Sequence, residues 1–216
     1  MAAHEIVDSG AEARIPLRNE PVQARSAARL SALLDAAAAI VDEIGYERIT
    51  TAMVAERAGA SIGTVYRYFP DRIAVLQALA ARNLERVLEN TTTALLDERH
   101  ENWMSAMGAS FDVLVDAYRT EPGFRGIRVG DVLDLRPALH DRTFNSIVAD
   151  RYLDTLIQRF GFTDSPQLRF RFETAIEISD ALATRAFARD PQGDEAFLAA
   201  SRDVVGQMLA QELGRP

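Results

Sequence analysis

Residues 50–69, TTAMVAERAGASIGTVYRYF, carry the spacing that decides the fold. Thr50 or Thr51 can cap a short helix, and Gly59 can stop it. Ser61 can cap a second helix; Pro70 closes it and suits the first turn of the next. Two short helices packed near a right angle make three demands. A small residue must sit where they cross, and Ala55 supplies it. The tight turn needs a residue that accepts a positive φ, and Gly59 follows four residues later. An apolar side chain must point back from the second helix, and Val65 lies six residues beyond. Val54, Ala58 and Ile62 fit the same small core.

This is the spacing of a DNA-binding helix-turn-helix, but an ordinary αα-corner fits it as well. The second helix separates the two. Its N-terminus offers the small or polar Ser61, Gly63 and Thr64. A free helix end carries N–H donors and partial positive charge, which suits a phosphate, and Gly63 allows close backbone approach. Tyr66, Arg67 and Tyr68 project about 100° apart, too widely for all three to be buried in so small a corner. Tyrosine hydroxyls can donate to phosphates, and arginine presents a donor pair to guanine. Tyr68 has an alternative place, packed beneath the helix that follows.

The chain has 216 residues, a formal net charge of −8 and no cysteine. Disulfide frameworks, thiolate chemistry and cysteine-based metal sites are excluded. No apolar run approaches the roughly 20 residues that span a bilayer, and the polar N-terminus does not read as a signal peptide. A cytoplasmic, bacterial protein without membrane contact is expected. All 24 basic residues are arginine, which reads as compositional bias. Charge is uneven: residues 1–24 are net −2, residues 25–82 net +1 and residues 83–216 net −7. An anionic partner is therefore expected on the second segment.

Outward from the corner the pattern is helical throughout, and the fold class is all-α, with about nine helices. Residues 1–24 lack periodicity and are expected as a flexible arm, in which Arg14 and Arg18, with Arg25 just beyond, either reach a neighbouring groove or remain a solvated tail. Leu30 to Ile44 repeat at helical spacing up to Gly45. A long helix from Asp71 suits a connector between a head, residues 25–72, and a body, residues 73–216. Helices are also expected over 102–119, 141–161, 166–190 and 193–213, with short ones after the Pro122–Gly123 break.

The body lacks catalytic pattern. His4, His100 and His140 have no metal-ligand spacing, and there is no phosphate-binding glycine loop or nucleophile elbow. No enzyme activity, cofactor or metal is expected. Its aromatic and methionine residues read first as core.

Gly45-Tyr46, Thr50-Thr51, Ala55, Gly59, Gly63-Thr64, Tyr66, Tyr68-Phe69 and Leu76 fall in a register that resembles the N-terminal domain of the tetracycline-repressor (TetR) family of bacterial transcription regulators. The resemblance covers about residues 25–75. It implies that Thr51 contacts phosphate and that Ser61, Gly63, Thr64, Tyr66, Arg67 and Tyr68 line a DNA face. Tyr66 and Tyr68 would hold the backbone, and Thr64 and Arg67 would approach base edges. Arg72 stands where the family usually has lysine, and Ile62 where many members carry a polar residue. The resemblance further implies a cavity in the body, for which Trp103, Met107, Phe111, Tyr118, Tyr152 and Phe172 are the candidate lining. It also implies a dimer built from the last two helices. Ile178, Ala181, Leu182 and Ala186 on one, and Phe197, Ala200, Val204, Val205 and Met208 on the other, are the candidate interface. The expected function is a ligand-responsive repressor that binds a palindromic operator in double-stranded DNA as a homodimer and is released by a small apolar or aromatic effector. Two alternatives stand beside it: a regulator of the same fold that needs no ligand, and an all-α small-molecule-binding protein or enzyme with a vestigial head.

Overall fold

The computed structural model describes residues 20–129 and 143–214. Among them are nine α-helices and no strand: α1 (Glu20–Ile44), α2 (Thr51–Arg57), α3 (Ile62–Tyr68), α4 (Arg72–Leu96), α5 (Trp103–Thr120), α6 (Phe124–Val129), α7 (Phe144–Phe160), α8 (Pro166–Arg189) and α9 (Glu195–Leu213). His4, Arg14, Arg18 and His140 lie outside the described residues.

The turn between α2 and α3 forms as its residues dictate. Thr50 caps α2 by accepting from Met53 N at 3.2 Å. At the other end the Ala60 N–H reaches the Ala55 carbonyl at 2.9 Å and the Gly59 N–H reaches that of Glu56 at 3.1 Å. This pair of bonds is the Schellman arrangement, and it places Gly59 in the left-handed region at φ 59°. The chain then turns into α3, where Ser61 accepts from Thr64 N at 3.1 Å.

Three apolar clusters hold the molecule. The first joins Leu33, Ala37 and Val41 of α1 to Val54, Ala55, Val65, Phe69 and the start of α4 at Val75, Leu76 and Leu79. Each fully buried Val or Leu there contributes about 1.5–3 kcal/mol, so a head whose two central helices are seven residues each is stabilised by its neighbours rather than by helix propensity. Ile127 of α6 also belongs to this cluster. The second gathers Leu95, Trp103, Leu153, Phe172 and Leu209 in the body. The third stacks Tyr118 on Phe187, with ring centroids 4.4 Å apart, and sets Phe124 edge-on to Tyr118.

Four expectations are corrected. Helix α1 starts at Glu20, inside the expected arm, with Pro21 in its first turn, where a missing N–H is no loss. Pro70 stands outside α4, because Asp71 is the cap and accepts from Ala74 N at 2.9 Å. Helix α7 starts at Phe144, where Thr143 accepts from Ser146 N. Ile62 is not core: it is 44% exposed, because Val65 and Phe69 already fill the space between α3 and the head.

Candidate nucleic-acid interface and body cavity

Helix α3 presents one face to solvent. Ser61, Ile62, Gly63, Tyr66 and Arg67 are exposed, while Thr64 and Tyr68 are half-buried. Gly63 has an ordinary helical backbone, and a Cβ placed there would meet nothing nearer than Ser61 Oγ at 3.9 Å. The fold itself does not require glycine at that position. Tyr66 is 54% exposed, and its hydroxyl accepts from Thr51 Oγ1 at 3.4 Å. That contact brings the first residue of α2 beside the middle of α3.

Tyr68 and Arg67 support each other. The Arg67 guanidinium lies 5.2 Å from the Tyr68 ring centroid, a cation–π arrangement that narrows where the arginine can point. The Tyr68 hydroxyl meets Ser26 Oγ at 3.0 Å and takes a longer bond from Arg67 Nη2 at 3.5 Å. The Ser26 hydrogen bond, aided by Arg67 and Arg29, holds the phenol below its ordinary pKa. Tyr68 therefore ties α3 to the start of α1, a third place that neither sequence alternative named. Two further candidates for DNA contact, Ser61 and Arg72, carry structural duties as well. Ser61 Oγ already accepts the Thr64 N–H and meets Thr64 Oγ1 at 2.9 Å. Arg72 Nη1 donates to the Glu47 carbonyl at 2.7 Å, which steadies the loop before α2 and leaves its other donors exposed.

In the body, a cavity of about 650 Å³ opens among α4 to α9. Of the six expected lining residues, Trp103, Met107, Phe111 and Tyr152 border it. Tyr118 and Phe172 do not; they are 2% and 0% exposed within the apolar clusters. Their rings point between helices rather than toward the cavity, and the Tyr118 hydroxyl is used on Thr184 Oγ1 at 3.2 Å. The polar wall was not foreseen. Asp180 accepts from Arg128 in an ion pair and from Asn145 Nδ2 at 3.2 Å, and Ser201 Oγ donates to Ser179 Oγ at 3.3 Å. Burial pushes the Tyr152 phenol above its usual pKa, partly offset by the hydroxyls of Ser110 and Thr91 beside it. The available signal was a lone polar residue on an otherwise apolar helix face, as at Thr91, Ser110, Ser179 and Ser201. Among the described residues no group of three or more His, Cys, Asp or Glu is placed to hold a metal ion.

Helix α6 joins cavity and head. Phe124 and Arg128 border the cavity, while Ile127 packs in the head cluster. The Gly123 N–H just before it donates to Asp42 of α1 at 3.0 Å, and Asn83 of α4 donates to the Pro122 carbonyl at 3.0 Å.

The candidate dimer residues divide. Ala181 and Val204 are exposed and Ile178, Leu182, Phe197 and Ala200 half-buried. Ala186, at 0% exposure, is enclosed in its own protomer. Val205 and Met208 turn inward against the second cluster.

Comparison with known proteins agrees with this architecture. Residues 33–79 match the family model of bacterial regulatory proteins of the tetR family. Residues 101–213 match that of the tetracyclin repressor-like C-terminal domain. A TetR-family transcriptional regulator from Streptomyces coelicolor superposes with a TM-score of 0.72 at 34% identity, over 88% of this chain and 99% of that one. The HTH-type transcriptional repressor KstR of Mycolicibacterium smegmatis is 41% identical over 68 residues, 32% of this chain and 33% of the relative. The nucleoid occlusion factor SlmA of Glaesserella parasuis is 31% identical over 93 residues, 42% of this chain and 44% of the relative. The matches to these curated relatives thus span between about a third and less than half of their lengths. No described helix is long and apolar enough to cross a membrane. The chain belongs to the tetracycline-repressor (TetR) family, whose members are DNA-binding transcription regulators.

Proposed function

We propose that the protein is a cytoplasmic, non-enzymatic repressor that grips a palindromic operator as a homodimer and lets go when a small, mainly apolar molecule occupies the body cavity. The observation that carries this reading is α6, a six-residue helix with Phe124 and Arg128 at the cavity and Ile127 in the head. A ligand that displaces Phe124 or Arg128 presses on the packing that sets the direction of α2 and α3. The connector α4 shares the load through Leu79, which lies under Gly123.

On DNA, Tyr66, Tyr68 and Thr51 hold the phosphate backbone, and Arg67 and Thr64 approach base edges, with Arg72 and Ser61 at the margins. Gly63 supports this assignment, since its open surroundings suit close approach by a partner. Two copies related by a two-fold axis would present recognition helices about 34–36 Å apart to successive major grooves. Ile178, Ala181, Leu182, Phe197, Ala200 and Val204 are the residues proposed for that contact; Ala186, Val205 and Met208 are withdrawn from it. A body with a filled core would have favoured a ligand-independent regulator, and the cavity speaks against that alternative.

The test begins with selection of bound sequences from random DNA and a search for the selected motif near the protein's own gene. Operator affinity is then measured with and without the cavity ligand. A coupling of about 1–3 kcal/mol lowers affinity by roughly 5- to 150-fold. Unchanged affinity with the cavity saturated defeats ligand control, and failure to select any motif defeats the DNA-binding assignment.

A further inference from the structure

Building on the reading of the cavity as an effector site, we infer that its ligand is an uncharged, mainly apolar molecule carrying one acceptor oxygen, a ketone or ester carbonyl, read by the hydroxyls of Ser110 and Tyr152. The charge on the wall comes first. Two arginines, Arg128 and Arg202, and two aspartates, Asp180 and Asp203, border the cavity, and their formal charges cancel. Arg128 is paired with Asp180. Arg202 binds Asp112 at 2.8 Å and Glu195 at 3.5 Å. Asp203 is exposed to solvent on the rim. A ligand carboxylate would have to compete with an aspartate already in place, and a ligand ammonium with an arginine. Neither recovers the hydration it loses on entry.

The uncharged polar residues of the wall are mostly committed or open to water: Asn145 donates to Glu177 and Asp180, Ser201 donates to Ser179, and Gln207 is exposed. The rest is apolar, with Trp103, Met107, Phe111, Val148 and Ile176 on it, except where Ser110, Tyr152 and Thr91 meet. Ser110, on α5, is 1% exposed. Although the Tyr152 hydroxyl stands close enough to be influenced by its Oγ, that oxygen meets no partner at full hydrogen-bond geometry. Buried hydroxyls nearly always have one, so this one is placed to serve a molecule in the cavity. Tyr152 of α7 stands beside it and is also buried, at 7% exposure. Thr91, the third hydroxyl of the group, commits its hydrogen to the Val87 carbonyl at 2.7 Å and can only accept. Tyr152 stands beside that acceptor and can donate to it or into the cavity, while the Ser110 hydrogen has no acceptor at bonding geometry; the complement of such a donor site is an acceptor oxygen. The volume, about 650 Å³, lies in the range that takes a drug-sized molecule.

Three probes of equal chain length test this: 2-tridecanone, tridecanoate and tridecylammonium. Binding to the full chain is followed by calorimetry and by the emission of Trp103, the single tryptophan and a wall residue. The ketone is expected to bind at least about tenfold more tightly than either charged probe. Ser110→Ala and Tyr152→Phe should each weaken ketone binding about threefold to tenfold. Ser110→Ala should leave the melting temperature of the unliganded protein unchanged or higher, since it removes a buried hydroxyl that lacks a partner. Equal or tighter binding of either charged probe, unchanged ketone affinity in both variants, or no binding of any probe overturns the inference. A ketone-selective cavity that leaves operator binding untouched would sink the regulatory reading and spare this one. Operator release by charged amphiphiles alone would do the reverse.

Discussion

Gly123→Ala should be among the most damaging single-methyl additions in this protein, and the structure says by how much. Gly123 sits at φ 74°, in the left-handed region, where a Cβ costs roughly 1–2 kcal/mol. The added carbon would also lie 3.1 Å from Ala38 Cα and 3.2 Å from Leu79 Cδ2. Leu79 can yield, but Ala38 Cα is backbone in the middle of α1, and overpacking of this kind costs a further 1–3 kcal/mol or so. The total is about 2–5 kcal/mol, a large part of the roughly 5–15 kcal/mol that holds a typical domain. Gly59→Ala isolates the first contribution: its φ is 59°, yet nothing lies within 4 Å of an added Cβ, so about 1–2 kcal/mol is expected. Gly108→Ala, mid-helix in α5 and equally open, should stabilise by about 0.5–1 kcal/mol. Urea unfolding at one fixed protein concentration gives all three values on a common scale. If Gly123→Ala costs no more than Gly59→Ala, α6 is not seated on α1 as described, and the proposed path from cavity to head loses its footing.

Three further outcomes follow from the same geometry. Arg67→Ala should cost about 1–3 kcal/mol of operator binding and relax base preference at one position, whereas Tyr66→Phe should weaken binding to all sequences alike; gel-shift titrations over a set of operator variants distinguish them. Burial raises the Asp42 carboxyl pKa, against the lowering effects of the Gly123 N–H and Arg125. A carboxyl with a raised folded pKa contributes most below its unfolded value of about 4, and that contribution is lost as pH rises through the folded value. Asp42→Asn, which keeps an acceptor for Gly123, should therefore match or exceed the parent in stability at pH 7, while Asp42→Ala should lose about 1 kcal/mol; urea midpoints for both variants decide it. Arg169 bridges Asp150, Asp154 and Asp164 at 2.9, 2.8 and 2.7 Å. Arg169→Met should cost about 1 kcal/mol at low salt and less in high salt, because three carboxylates are left facing one another.

The head was legible because its constraints are local. A turn between two short helices fixes which positions must be small, left-handed or apolar, and Ala55, Gly59 and Val65 met them by sequence spacing alone. The early start of α1 was not legible, since residues 24–29 are exposed and lack an apolar repeat. What orders them is the Ser26 contact with Tyr68, 42 positions away. Helix α6 was expected only as one of the short helices after the proline-glycine break: its six residues carry no periodicity, and its importance lies wholly in where tertiary packing puts it. In the body, composition could not separate lining from core. Tyr152 and Tyr118 are both buried aromatics, and only the direction of each helix face decides that one borders the cavity while the other stacks on Phe187. The dimer residues failed for the same reason at Ala186, which shares the inward ridge of Phe172, Ala175, Ile176 and Ala183.

The charge pattern gains a sharper meaning once the arginines of residues 25–82 are sorted by what they touch. Seven stand there. Arg57 is paired with Glu43 at 2.6 Å and Arg82 with Asp35 at 2.6 Å, so neither is offered outward in full. Arg72 is partly committed to Glu47. Arg25, Arg29, Arg48 and Arg67 are exposed and, among the described residues, form no ion pair. The near-neutral head thus presents four exposed arginines outside ion pairs per protomer, while of the six carboxylates that offset them Glu43 is on Arg57, Asp35 on Arg82, Asp71 at a helix cap and Asp42 on the Gly123 N–H, which leaves Glu47 and Glu56 exposed. Net charge understates the attraction of this face for phosphate, because four of the six carboxylates it counts are already occupied. The body, at net −7 beyond residue 82, repels the same polymer. Together these oppose sliding contact by any surface but α3 and its surroundings, so that affinity rests on a small set of placed donors rather than on bulk charge.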